Sequence, residues 1–127
     1  MAEHAQASFE ITGWEDTTWD DSRGIKLGRV TVRKQFSGDL EGESVAELLT
    51  VMVGENPVEY RAIERVDGTL GGRRGTFVVA HGAGPGESDG ESVPARVLPG
   101  SGTGELTGLS GQGQISHGRL SLEYETA

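Results

Sequence analysis

Two glutamates and a histidine fall on strand-like faces that otherwise read as apolar, and chemistry would start there. Glu64 shares a period-two face with Tyr60, Ala62 and Val66. Glu47 sits among Val45, Leu49, Val51 and Val53, and His81 follows Phe77 and Val79 at the same parity. Lys34 falls in the same way among Val30, Val32 and Phe36. A carboxylate on an apolar face is costly unless paired or protonated, and dry surroundings raise its pKa toward neutrality. A general acid or base is made in this way. Glu64, Glu47 and His81 are therefore the candidates for proton transfer. Tyr60, Tyr124, Phe77 and Lys34 are the candidates for holding a substrate. Plainer readings stand beside these. A parity slip at a bulge would turn the acids to water, Glu64 could simply pair with Lys34 or an arginine, and His81 could sit at a rim.

Other chemistries lack their residues. The three histidines, His4, His81 and His117, have no metal-ligand spacing, and no metal or cofactor is expected. No glycine-rich dinucleotide turn, phosphate loop or nucleophile elbow occurs. Glu15, Asp16, Asp20 and Asp21 are expected in a solvated acidic turn, since they lack the alternate ligands and closing glutamate of a calcium loop. Eleven basic against 20 acidic residues give a net charge of −9, which argues against nucleic acid and anionic membranes as partners. With no cysteine there is neither disulfide nor thiolate chemistry. A secretory signal and a bilayer-length apolar run are both missing, so the cytoplasm is the expected setting.

The elements that would position these groups are strands. A chain of 127 residues is one domain's length. Period-two alternation appears from Ser8 to Thr12, Leu27 to Phe36, Glu59 to Val66 and Arg119 to Glu125. Val45 to Val53 and Thr76 to Ala80 are apolar on both faces, so the outside of the sheet is covered somewhere. A helix over Val45 to Met52 remains an alternative, although its valines and flanking glycines favour a strand. The motif Gly-x-Leu-x-Gly occurs three times, at Gly38-Leu40-Gly42, Gly68-Leu70-Gly72 and Gly104-Leu106-Gly108, and reads as three hairpin turns with a leucine tucked beneath each. The expected fold is all-β, an up-and-down antiparallel barrel of about eight strands, with an open sandwich as the alternative. Residues 1–7 are expected to be flexible, and 82–93, rich in glycine and acid, to form a mobile loop. Trp14 and Trp19 are expected at a rim or a subunit contact.

Two long glycine-patterned runs narrow this further. One is Glu64-Arg65-Val66-x-Gly68-Thr69-Leu70-Gly71-Gly72-Arg73-x-Gly75-x-Phe77-Val78, followed by His81-Gly82. The other is Pro99-Gly100-Ser101-Gly102-Thr103-Gly104-Glu105-Leu106-x-Gly108-Leu109-x-Gly111-x-Gly113, with a closing Leu122-x-Tyr124. From Phe9 to Tyr124 the chain resembles an uncharacterised bacterial family of unknown function whose barrel is related to allene oxide cyclase. It departs from that pattern at Trp14 to Trp19 and His81 to Pro94. The resemblance implies a barrel and transfers no catalytic motif, because fold does not fix function. Relatives of the barrel include cyclases of fatty-acid epoxides and of polyketides.

Three functions are open at this level. The favoured one is a cofactor-independent cyclase or isomerase acting on a flexible, apolar, polyketide- or lipid-like small molecule, with one acid or base assisting. The second is a non-catalytic module that binds a small hydrophobic molecule or a protein partner. The third is a filled barrel working through its surface, as a homodimer or other homo-oligomer.

Overall fold

Alternation of period two runs through nearly the whole chain, and the backbone follows it. In the computed structural model, which describes residues 2–85 and 92–126, eight strands pair antiparallel in chain order and close into a barrel. The strands are β1 (Glu3–Ser22), β2 (Ile25–Gly38), β3 (Leu40–Val53), β4 (Asn56–Leu70), β5 (Arg73–Ala83), β6 (Ser92–Val97), β7 (Ser110–Ser116) and β8 (Arg119–Glu125). Val45–Val53 is strand throughout, which removes the helical alternative. Among the described residues no helix is long and apolar enough to cross a membrane.

The strands are unequal, and this shapes the site. β1 to β4 have 14 to 20 residues each, whereas β6 to β8 have only six or seven. β1 pairs with β8 only from Glu3 to Ser8, and beyond that a four-stranded flap projects past the closed barrel. The edge of β1 along the flap carries Glu10, Glu15, Asp16, Asp20 and Asp21 and two register shifts, after Ile11 and after Thr18. Charges and bulges of this kind keep a free edge from pairing with foreign strands.

Three sequence expectations change here. Residues set aside as a flexible terminus lie in β1, where Ala5 and Ala7 are buried and their backbone pairs with β8. The acidic stretch Glu15 to Ser22 is strand as well. Of the loop expected over 82–93, the first two residues end β5 and Ser92 and Val93 begin β6, while 86–91 lie outside the described residues.

Two of the three Gly-x-Leu-x-Gly repeats are hairpins, joining β2 to β3 and β4 to β5. The third is a 3-10 turn, Gly104–Leu106, in the β6–β7 connection. All three leucines are nonetheless 1% exposed or less. They gather with Phe77 and Leu109 and close one end of the barrel. Glycine is obligatory where β3 crosses β4 at this end. A side chain on Gly42, at φ +149°, would collide with the Asp67 carbonyl oxygen. A void in the lumen between Phe9, Glu64 and Val79 measures about 10 Å³, no more than one water.

Candidate functional site

Above that closed end the interior becomes ionic. Lys34, Ser44 and Glu64 are the buried polar residues among those described, at 6%, 4% and 2% exposure. They come from β2, β3 and β4, whose antiparallel register points Lys34, Ser44, Ala46 and Glu64 to the inner face. Glu64 Oε1 accepts from Lys34 Nζ at 3.1 Å and lies 2.8 Å from His81 Nε2, while Ser44 Oγ donates to Oε2 at 2.6 Å. Lys34 Nζ also stands 4.3 Å over the Phe9 ring, which itself packs on Phe36. Each buried side-chain polar atom among the described residues has a partner.

Burial alone would raise the Glu64 pKa. The His81 hydrogen bond, the Lys34 charge and the Ser44 hydroxyl outweigh it and hold the carboxyl at about 2. Glu64 is thus a carboxylate at neutral pH, not the proton donor that a dry pocket would have produced. A carboxylate only accepts, so His81 Nε2 must be the donor. In the neutral ring this leaves Nδ1 as an acceptor, and Tyr60 Oη lies 3.1 Å from it. Tyr60 is half-buried, and burial followed by the Glu64 charge pushes its hydroxyl up to about 12. Tyrosine, imidazole and carboxylate therefore stand in line from the barrel mouth to its ionic middle.

The inner face above this line belongs to the flap. Register carries it from His81 across Ala62, Leu48 and Val30 to Asp16, and from Glu64 across Ala46 and Val32 to Trp14. Val30, Val32 and Ala46 form a small second core, with Leu48 packed against it. Trp14 is 56% exposed. The face is thus apolar at its centre, with Asp16 at the β1 edge and Tyr60, Thr50 and Thr18 in the next row outward.

The sequence candidates separate into three places. Glu64, His81, Tyr60 and Lys34 come together. Phe77 is wholly buried in the core, one inner row below Glu64, and Tyr124 lies against the β4–β5 turn, where a side chain on Gly71 would meet its hydroxyl. Burial, helped by Glu3 and Asp39, raises the Tyr124 pKa. Glu47 is a correction, because it points outward. It pairs with Arg29 at 3.0 Å and accepts from Thr31, and these contacts, the Arg29 hydrogen bond foremost, lower its pKa. The inner face of β3 holds Ser44, Ala46 and Leu48, while Val45, Leu49, Val51 and Val53 share Glu47's outer side. Parity failed here because this strand's outer face is the more apolar one. Ser44 and Phe9 were missed. Only the small-residue alternation Gly42-x-Ser44-x-Ala46 marks the true inner face.

A fully packed, eight-stranded antiparallel barrel with one open, ionic end defines the class. The sequence matches the DUF3224 family, proteins of unknown function, over residues 5–125, and the chain belongs to that family. A crystal structure of a DUF3224 protein of unknown function from Shewanella oneidensis MR-1 is similar throughout. It is 30% identical, with a TM-score of 0.79, covering 100% of this chain and 99% of that one. A search of curated proteins found no match.

Proposed function

We propose that the open end of the barrel binds a small, apolar, enolisable molecule and moves a proton on it, as a cofactor-independent isomerase or cyclase of the cytoplasm. The observation that carries this reading is the alignment of Tyr60 Oη, His81 and Glu64 at 3.1 and 2.8 Å. Tyr60 passes its proton to Nδ1 of His81, and the imidazolium so formed faces a carboxylate that is already ionised. The phenolate is a strong base, because its conjugate acid is held near 12. It takes a proton from an activated C–H and returns it elsewhere on the same molecule, so the protein ends unchanged. Glu64 positions and stabilises, with Lys34 and Ser44 fixing its charge. The apolar flap face, Trp14 included, confines the substrate.

The test is solvent hydrogen exchange. In D2O, a panel of apolar enolisable ketones should gain α-deuterium with the wild-type protein. Tyr60→Phe and His81→Ala should cut that rate at least about tenfold, while shift changes at Trp14 still report binding. Exchange that survives both substitutions would overturn the relay. Failure of every ketone to perturb the inner face would overturn the binding site itself. A second reading, a barrel that acts only through its surface, draws on the one-water void beneath Phe9 and Glu64. In that case neither exchange nor inner-face binding appears.

A further inference from the structure

Two exposed features outside the relay match each other. The first is a depression of about 650 Å³ on the outer face of β2 to β6. Its floor is low because Ala80 and Gly82 on β5 offer almost no side chain between Arg61 and Ile63 of β4 and Arg96 of β6, with Leu49 and Ile63, 57% and 54% exposed, standing on one side. A larger residue at Gly82 would strike the Tyr60 carbonyl oxygen, so the hollow is built into the strand spacing. The register puts Arg29, Arg33, Arg61, Arg65 and Arg96 on this face. They are five of the nine arginines in the chain. Among the described residues over the rows from Leu27 to Arg33, the acids on the same face of β2 to β6 are Glu47, paired with Arg29, and Glu59, paired with Arg61. Among these residues three positive charges remain in excess, on a protein of charge −9.

The second feature is the β1 stretch Trp14-Glu15-Asp16-Thr17-Thr18-Trp19-Asp20-Asp21. It contains both tryptophans of the chain, 56% and 60% exposed, with four acids and no basic residue. A large exposed aromatic pair costs solubility unless something covers it, and an apolar hollow of several hundred Å³ is the size of a ligand pocket. Trp in a hollow with arginine partners is the usual composition of an interface hot spot. Face-to-face packing of two such hollows would set like charge against like, which is costly. Acid and tryptophan against arginine and an apolar floor satisfies both terms.

We infer that the chain self-associates, with the acidic β1 segment around Trp19 of one copy seated in the arginine-rimmed hollow of another. The contact joins two different patches and is independent of the proton relay.

The chain's own tryptophans report the test. At low ionic strength the full-length protein should associate with rising concentration in sedimentation velocity, and its emission should shift to the blue as Trp19 leaves water. Added salt should reverse both. Trp19→Ala and Ile63→Asp should each weaken association at least about tenfold. Both side chains are more than half exposed, so melting temperature should stay unchanged and exclude misfolding. Mixing the two variants should restore a complex, because one keeps the hollow and the other keeps the tryptophans. A monomer at millimolar concentration would overturn the proposal, as would association indifferent to both substitutions. Decanoate held in the hollow of a monomeric protein and released by Arg96→Glu would also overturn it, assigning the hollow to an anionic amphiphile instead.

Discussion

Leu70 and Glu64 lie on the inner face of the same strand, three inner positions apart, yet their surroundings share almost nothing. Around Leu70 the barrel is closed by Leu40, Phe77, Leu106 and Leu109, each 1% exposed or less, and the glycines let strands approach until no space remains. Around Glu64 there are an ammonium, a hydroxyl and an imidazole. Apolar burial is stabilising in proportion to the area removed from water. A buried ion pair seldom matches a well-packed apolar replacement, because desolvation cancels much of the attraction. A barrel selected for stability alone would have continued the leucines upward. The contrast teaches that the closed end holds the fold, while the open end is retained for something other than stability.

Four substitutions and a titration sharpen or break this contrast. The largest effect belongs to the closed end, where Phe77→Ala should remove about 4 kcal/mol of stability in denaturant unfolding. A loss under about 1 kcal/mol would mean the end is less tightly packed than described. Next comes Glu64→Gln, which leaves Lys34 charged and buried and should cost about 3 kcal/mol. The pair Lys34→Met with Glu64→Leu should recover most of that loss. If the double variant stays as unstable as the single one, the ionic layer is structural after all.

The third effect is on pH. The folded-state pKa of Glu64, about 2, lies below the ordinary 4.5. Its contribution is therefore complete above about pH 4.5 and is lost as the pH falls toward about 2, a few kcal/mol in all. The stability difference between wild type and the Lys34→Met/Glu64→Leu variant should shift by that amount across this window, in the direction of wild type losing. Smaller still is Tyr60→Phe, which should change stability by less than about 1 kcal/mol because the ring keeps its packing. The smallest is Glu47→Gln on the outer face, within about 0.5 kcal/mol, since the Arg29 pair is open to solvent.

Much of this was legible in the sequence, for definable reasons. The barrel followed from alternation and from the glycine-leucine turns. Glu64, Tyr60 and Lys34 were placed on inner faces because their strands have one clearly apolar side, and His81 was placed by its parity with Phe77 and Val79. β3 misled because its outer face carries Val45, Leu49 and Val51, of which Leu49 lines the hollow, and that inverted the parity of Glu47. The third glycine-leucine repeat gave the right burial and the wrong turn, since a leucine tucks equally well beneath a 3-10 turn. What no local pattern carries is distance across the lumen. Ser44 and Glu64 are twenty residues apart, and only strand stagger brings them to 2.6 Å.

The relay rests on one hydrogen-bond polarity that nuclear magnetic resonance reads directly. Long-range proton–nitrogen spectra of 15N-labelled protein, at a pH where the His81 ring is neutral, should show its proton on Nε2 and a lone pair on Nδ1 facing Tyr60. Replacing Glu64 by glutamine should abolish that preference. A ring protonated on Nδ1, or a tautomer indifferent to Glu64, would contradict the account.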